Sequence, residues 1–258
     1  MIFMKNICND NLEELYAALI ARLPVGRDVQ DLDFLGINLH DVAPPSGKLY
    51  FQQADSLLPS RFSAYEAFSD YTSTVLDSAV PTSVRVDYKL RSFDETGIEP
   101  LLNLLKADFA PFDAAAPELM PLNDALPWVH LGLKLQEDQI ETIKCYFDLM
   151  NQRPGGIPEI VSLPGMNPAL LEAAEVACGG GSFWMLGVDC SGRGNRYKLY
   201  LRHRTTPLEE VILPAAVREQ VAGLAAWLAT HPEWSYDAVG LSAANAWVDT
   251  ANLYFMLD

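Results

Sequence analysis

Cations and aromatic rings recur at alternate positions in several segments of this chain. Lys48 and Tyr50 fall two apart. So do Arg85, Asp87 and Lys89, then Trp128, His130, Gly132 and Lys134, then Arg196, Lys198, Tyr200 and Arg202. Residues i and i+2 of a β-strand share a face, so each segment presents one polar-aromatic face opposite an apolar one. Tyr254 joins them from the last segment. Cations beside phenols can hold a diphosphate by charge-assisted hydrogen bonds. Aromatic faces stabilise an allylic carbocation, by about 0.5–2 kcal/mol per contact, and keep water away from it. A carboxylate on the same faces, Asp87 or Asp189, could take a proton from an acceptor. Taken singly, each residue also fits a solvated strand face or a core position. Recurrence on the same face of successive strands is what favours chemistry.

The elements that would carry these residues alternate between strand pairs and single helices. A helix is predicted over Asn11–Leu23, ended by Pro24, and strands over Phe34–His40 and Lys48–Gln53 around a Pro-Pro-Ser-Gly turn. Pro59 opens a predicted helix over Ser60–Asp77, with Arg61 in its first turn. A strand is expected over Thr82–Arg91, a helix over Ile98–Phe109, a long loop over 110–126, a strand over Trp128–Leu135 and a helix over Glu137–Asn151. A short strand near Ile160 and a helix over Pro168–Val176 precede the Gly run at 179–181. The hairpin Phe183–Arg202 turns at Ser191-Gly192-Arg193-Gly194-Asn195. A helix over Pro214–Thr230 and strands over Tyr236–Leu241 and Trp247–Leu257 close the chain. Strands joined by short turns are antiparallel. Strands apolar on one face need cover on that face alone. A closed barrel ringed by helices meets that need and leaves no sheet edge; an open α+β sheet is the second choice.

Composition narrows the partners. The 258 residues carry a net charge of −16, with only 18 lysines and arginines. That balance disfavours nucleic acid and anionic membranes. No apolar run reaches the ~18 residues of a membrane span. Cys8, Cys145, Cys178 and Cys190 show no paired spacing and read as free thiols of a cytoplasmic protein. There is no GxSxG, P-loop, HExxH or DDxxD element, and the four histidines lack metal-ligand spacing, so no protein-bound metal is expected.

A resemblance carries the reading further. Val239-Gly240-Leu241-Ser242-Ala243-Ala244-Asn245 followed by Leu253-Tyr254-Phe255 resembles the closing segment of the cyanobactin prenyltransferases. Leu58-Pro59-Ser60-Arg61-Phe62, Val129-His130-Leu131-Gly132-Leu133-Lys134, Leu186-Gly187-Val188-Asp189 and Leu199-Tyr200 are similar to further segments of that family in the same order. The resemblance implies one domain over 1–258, a ten-stranded antiparallel barrel surrounded by α-helices of the ABBA type. It also implies transfer of dimethylallyl or geranyl from its diphosphate, with magnesium, to a side chain of a ribosomally made, often macrocyclic, peptide. Carried over, Arg61, Lys134 and Lys198 become diphosphate ligands, joined by Arg85 and Lys89. Tyr200 and Tyr254 become cation shields, joined by Trp128 and Tyr50. His130 and Asp189 become acceptor-binding residues. The family's first-strand Glu falls on Gly47 here, so Asp87 or Asp189 would supply the catalytic carboxylate, and a cationic acceptor such as arginine would suit it. A small-molecule aromatic prenyltransferase and a non-catalytic barrel are the alternatives.

Overall fold

A computed structural model describes residues 9–40, 43–53, 60–79, 83–91, 97–136, 139–150, 166–177, 182–203, 208–211, 213, 215–244 and 247–257. Ten strands form one closed antiparallel barrel in which each strand pairs with the next and the last with the first. They are β1 (Leu32–His40), β2 (Ser46–Gln53), β3 (Ser69–Asp77), β4 (Ser83–Leu90), β5 (Trp128–Gln136), β6 (Gln139–Asp148), β7 (Ser182–Ser191), β8 (Gly194–Arg202), β9 (Trp234–Ala244) and β10 (Trp247–Leu257). Closure satisfies every strand's backbone groups without an exposed edge. Helices α1 (Asn9–Ile20), α2 (Ile98–Asp108), α3 (Pro111–Ala125), α4 (Pro168–Ala177) and α5 (Ala215–Leu228), with a 3₁₀ helix over Ser60–Phe68, cover the outside.

The main core is the annulus between the barrel's outer face and the helices. Leu35, Ile37 and Leu39 of β1, Leu131 and Leu133 of β5 and Leu253 and Phe255 of β10 are buried there with Phe112 and Leu119 of α3 and Leu224 of α5. A second, smaller apolar cluster of Tyr146, Met185 and Tyr200 lies apart from it. The hairpin turn between β7 and β8 is built as its residues predict. Gly194 takes φ +102°, a left-handed conformation that glycine adopts without penalty. Ser191 Oγ accepts from the Arg193 N–H at 3.2 Å and donates to the Gly194 carbonyl at 3.2 Å.

Three predicted elements are different in the structure. The expected helix over Ser60–Asp77 is helical only to Phe68, and its second half is β3. Thr72, Thr74 and Leu76 there point outward and Tyr71, Ser73, Val75 and Asp77 inward, as their register against β2 fixes; the β-branched residues fit that pleat. The expected helix over Glu137–Asn151 is β6. Its Ile143, Cys145 and Phe147 are buried in the outer core, and that alternation of period two governs over the weaker helical spacing. The expected loop over 110–126 is helix α3, with Pro111 in its first turn, where its missing N–H costs nothing. Phe112, Ala115, Ala116, Leu119 and Leu122 bury one face. The expected strand near Ile160 and the Gly run at 179–181 lie outside the described residues.

Candidate functional site

The lumen is built by a repeat. Lys48-Leu49-Tyr50 on β2, Lys144-Cys145-Tyr146 on β6 and Lys198-Leu199-Tyr200 on β8 each place a lysine and a tyrosine on the inner face. Two strand residues advance roughly 6.6 Å. The three strands therefore stack a tier of ammonium groups beside a tier of phenols, to which β10 adds Tyr254. The phenols form a continuous belt: ring centroids are 5.8 Å apart for Tyr50–Tyr254, 5.9 Å for Tyr254–Tyr200 and 5.8 Å for Tyr200–Tyr146.

The strands between the tyrosine strands contribute glycine at the same level. Gly36 pairs with Tyr254, Gly240 with Tyr200 and Gly187 with Tyr146. A Cβ on Gly240 would meet the Tyr200 ring at 2.6 Å, one on Gly187 would meet it at 2.9 Å, and one on Gly36 would meet Tyr50 at 3.2 Å. The rings thus lie flat on bare backbone, and the space in front of them stays open.

That space is a cavity of about 310 Å³ at the end where β1 begins and β2 ends. Tyr50, Tyr71, Tyr146, Trp184, Met185, Tyr200 and Tyr254 wall it, and Asp33, Ser73, Arg85, Asp87, His130 and Arg202 add polar groups. Burial raises the pKa of all four belt phenols, so they stay neutral. Burial lowers the pKa of His130 and raises that of Asp33. The Arg202 guanidinium lies 4.6 Å from the centroid of the Trp184 ring and donates to Asp237 at 3.0 Å.

At the opposite end lies a polar cavity of about 330 Å³, lined by Asn38, His40, Lys48, Asp77, Arg85, Lys134, Lys144 and Arg196 among others. Arg85 lines both cavities. The cations are already paired. Lys144 Nζ donates to Asp189 at 2.6 Å, and Lys198 Nζ lies 3.1 Å from the same oxygen. Arg85 donates to Asp87 at 2.7 Å, Lys48 lies 3.7 Å from Asp77, Lys134 2.7 Å from Glu141 and Arg196 2.9 Å from Asp249. Burial pulls the pKa of Lys144 down to about 7 and that of Lys48 to about 8, with Lys198 adding to both. Burial opposes the Asp189 charge, but Lys144 and Lys198 hold its carboxyl well below the usual range. Burial likewise opposes the Arg85 charge, and Asp87 with the surrounding phenols keeps its pKa raised.

The structure places Lys134 and Arg85 on the polar cavity, Lys198 on Asp189 in the lysine tier, and Tyr50, Tyr200 and Tyr254 in the belt. His130 and Asp87 face the aromatic cavity. Other expectations change. Trp128 faces the outer core, stacked on Phe147 at 5.9 Å, because the β5–β6 register shifts between Trp128 and His130; it shields nothing in the lumen. Lys89 is exposed at the aromatic rim, 5.4 Å from the centroid of the Tyr71 ring, and lines neither cavity. Asp189 sits in the lysine tier and does not line the aromatic cavity. Gly47 turns outward onto Leu19 and Leu15 of α1, so a carboxylate there would not reach the lumen. The Arg61 side chain lies outside the described residues. Lys144 and Tyr146 were hidden by the helix expected over their segment. The signal that finds them is the Lys-x-Tyr spacing itself, which occurs three times in the chain and each time in the lumen. No metal-ligating group of three or more His, Cys, Asp or Glu residues occurs among the described residues. No helix among them is long and apolar enough to cross a membrane.

No protein-family model matches the chain, and no curated protein matches it in sequence. Solved structures do match in shape. AnaPT from Neosartorya fischeri superposes with a TM-score of 0.58 at 12% identity, over 88% of this chain and 78% of its own. The 6-dimethylallyltryptophan synthase from Micromonospora olivasterospora, in complex with DMASPP and Trp, superposes at 0.57 and 15%, over 95% and 90%. The 5-dimethylallyltryptophan synthase from Streptomyces coelicolor superposes at 0.56 and 14%, over 92% and 83%. The ten-stranded closed barrel with its ring of helices is therefore the fold of the ABBA-type aromatic prenyltransferases.

Proposed function

We propose that this chain is a prenyltransferase that moves a dimethylallyl or geranyl group from its diphosphate to a side chain of a peptide, with arginine the favoured acceptor and Trp, Tyr or His the others. The observation that carries this reading is the stacking of a lysine tier on a phenol belt by three Lys-x-Tyr strands. The diphosphate lies against Lys48, Arg85, Lys144 and Lys198, with Lys134 beyond. The prenyl chain lies against Tyr50, Tyr146, Tyr200 and Tyr254. As the donor's C–O bond breaks, the electron pair leaves with the diphosphate and the lysine tier takes up the charge. The phenol faces stabilise the allylic cation without capturing it, because their raised pKa values keep them protonated. The acceptor attacks from the aromatic cavity, its new bond to carbon forms, and its proton passes to a carboxylate.

The carboxylates on that side are Asp87 and Asp33. Asp87 Oδ1 is buried and has no hydrogen-bond partner among the described residues, which costs about 1–3 kcal/mol until a donor arrives. An acceptor N–H supplies it. A guanidinium supplies several and can lie flat against the aromatic wall. A magnesium ion bound with the donor would neutralise charge on the diphosphate beside the lysine tier. The second reading is a free aromatic acceptor, favoured by the neighbouring synthase solved with Trp. Mass spectrometry of the protein with magnesium, both donors and a panel of cyclic peptides and free amino acids decides. One added isoprene or geranyl unit on an arginine peptide supports the first reading, and addition to free tryptophan alone the second. No addition and no binding of a diphosphate would leave the non-catalytic barrel.

A further inference from the structure

The two cavities open at opposite ends of the barrel, and the anion and the acceptor need not share a door. The polar cavity reaches solvent among the described residues. Ala79 at its edge is exposed and the Arg196 side chain is 45% exposed. The aromatic cavity opens at the other end, beside Asp33 and Tyr71. Arg196 and Arg202 begin and end the inner face of β8, roughly 20 Å apart along the strand. Between them lies the phenol belt.

Transfer leaves inorganic diphosphate on the polar side and the alkylated acceptor on the aromatic side. To leave by the aromatic mouth, the anion would have to pass the belt and the product, shedding water from several charges. Stripping water from even a single ion inside a protein is unfavourable after relaxation. The polar cavity lines the other path with cations, Lys48, Arg85 and Lys144 inside and the half-exposed Arg196 at its edge. We infer that the polar end of the barrel is a separate mouth through which diphosphate leaves, and by which free diphosphate enters, with Arg196 drawing the anion. This rests on the polar cavity's being the diphosphate chamber. Asp249, 2.9 Å from Arg196, weakens the attraction and so keeps the mouth from retaining the product.

The test is stopped-flow association of inorganic diphosphate, with magnesium, read by the chain's own fluorescence. Arg196→Glu should slow association about tenfold at low ionic strength, with the difference fading in high salt. Asp249→Asn, a milder change, should speed it. Arg91→Glu, an exposed charge change near the aromatic end, should leave the rate within twofold. So should Ser73→Phe, which fills the aromatic cavity. Loss of association in Ser73→Phe, or slowing in Arg91→Glu but not Arg196→Glu, overturns the separate mouth and leaves the diphosphate chamber standing. No binding of diphosphate by the unaltered protein overturns both.

Discussion

Strands β2, β6 and β8 serve the two ends of the lumen with residues only two positions apart, yet the ends are held in place by different physics. At the polar end each described cation is fixed by a carboxylate: Lys144 and Lys198 by Asp189, Lys48 by Asp77, Arg85 by Asp87. At the aromatic end the phenols are fixed by shape: Tyr50 lies against Gly36, Tyr146 against Gly187 and Tyr200 against Gly187 and Gly240, with Tyr254 held between the Tyr50 and Tyr200 rings. The first arrangement fixes charge before a ligand arrives, as catalysis by preorganised electrostatics requires. The second fixes distance and excludes water. The two ends should therefore fail in different ways.

The largest loss is expected at the polar end. Lys198→Ala or Lys144→Ala should lower turnover about 10²–10³-fold, the scale on which a preorganised charge donor acts, and should weaken donor binding. Asp189→Asn should lower turnover as well, through the lysines it orients. Because it removes one partner from a buried ionic cluster, it should also destabilise the fold by about 3–5 kcal/mol. Thermal unfolding measured beside kcat/KM separates the two effects. An Asp189→Asn protein of wild-type stability would mean that Asp189 acts on the substrate directly. Gly240→Ala comes next. Its methyl would push Tyr200 into the cavity, with a packing cost of about 1–3 kcal/mol and up to about 10²-fold in turnover from misplacement. The companion Tyr200→Leu should recover the stability but not the rate.

Tyr254→Leu should cost less in turnover but change its outcome, raising the share of donor lost to water, whereas Tyr254→Phe should keep most of both. Product and alcohol are counted in the same chromatogram. An unchanged share of hydrolysis in Tyr254→Leu would remove the belt's protective role.

The outer face of the barrel was legible from alternation alone, because burying apolar residues against helices is a general requirement of strands covered on one side. The strands carrying Arg85, Lys134 and Lys198 were readable for that reason, and the hairpin at Gly194 from its glycine-rich turn. The Lys144–Tyr146 strand was not. Its Ile140, Ile143 and Phe147 also satisfy a helical spacing, and only closure of the barrel selects the extended form. Trp128 misled for a related reason: a register shift before His130 turns the ring outward, and no local pattern announces a shift. That Gly47 faces α1 is likewise a property of the pairing. Asp33, half-buried at the aromatic mouth, carries no motif at all.

The pH dependence offers a milder test of the same contrast. Burial depresses Lys144 to about 7 and Lys48 to about 8, below the ordinary lysine value near 10.4. The unfolded chain therefore binds more protons than the folded one between those values, and the stability of the ligand-free protein should rise as pH climbs from about 7 towards 10. Donor affinity should move the opposite way over the same window as the tier loses charge. Melting temperature and donor Kd measured across that range should show opposed slopes. Lys144→Met should shrink both slopes to the share that Lys48 contributes, while Tyr254→Phe leaves both intact.

The smallest effect on turnover is expected from two residues that pattern alone places in the lumen. Trp128→Phe trims the outer core, so it should lower stability while kcat stays within about twofold. Lys89→Ala removes an exposed rim cation whose contact with Tyr71 is worth about 0.5–1 kcal/mol at most, and an exposed charge contributes little to binding beyond the association rate. Donor KM should therefore hold, and any change should appear as a salt-sensitive rise in the acceptor's KM. That result would place Lys89 with the acceptor's approach. A tenfold loss in donor affinity would instead return it to the diphosphate and remove the division of labour between the two ends.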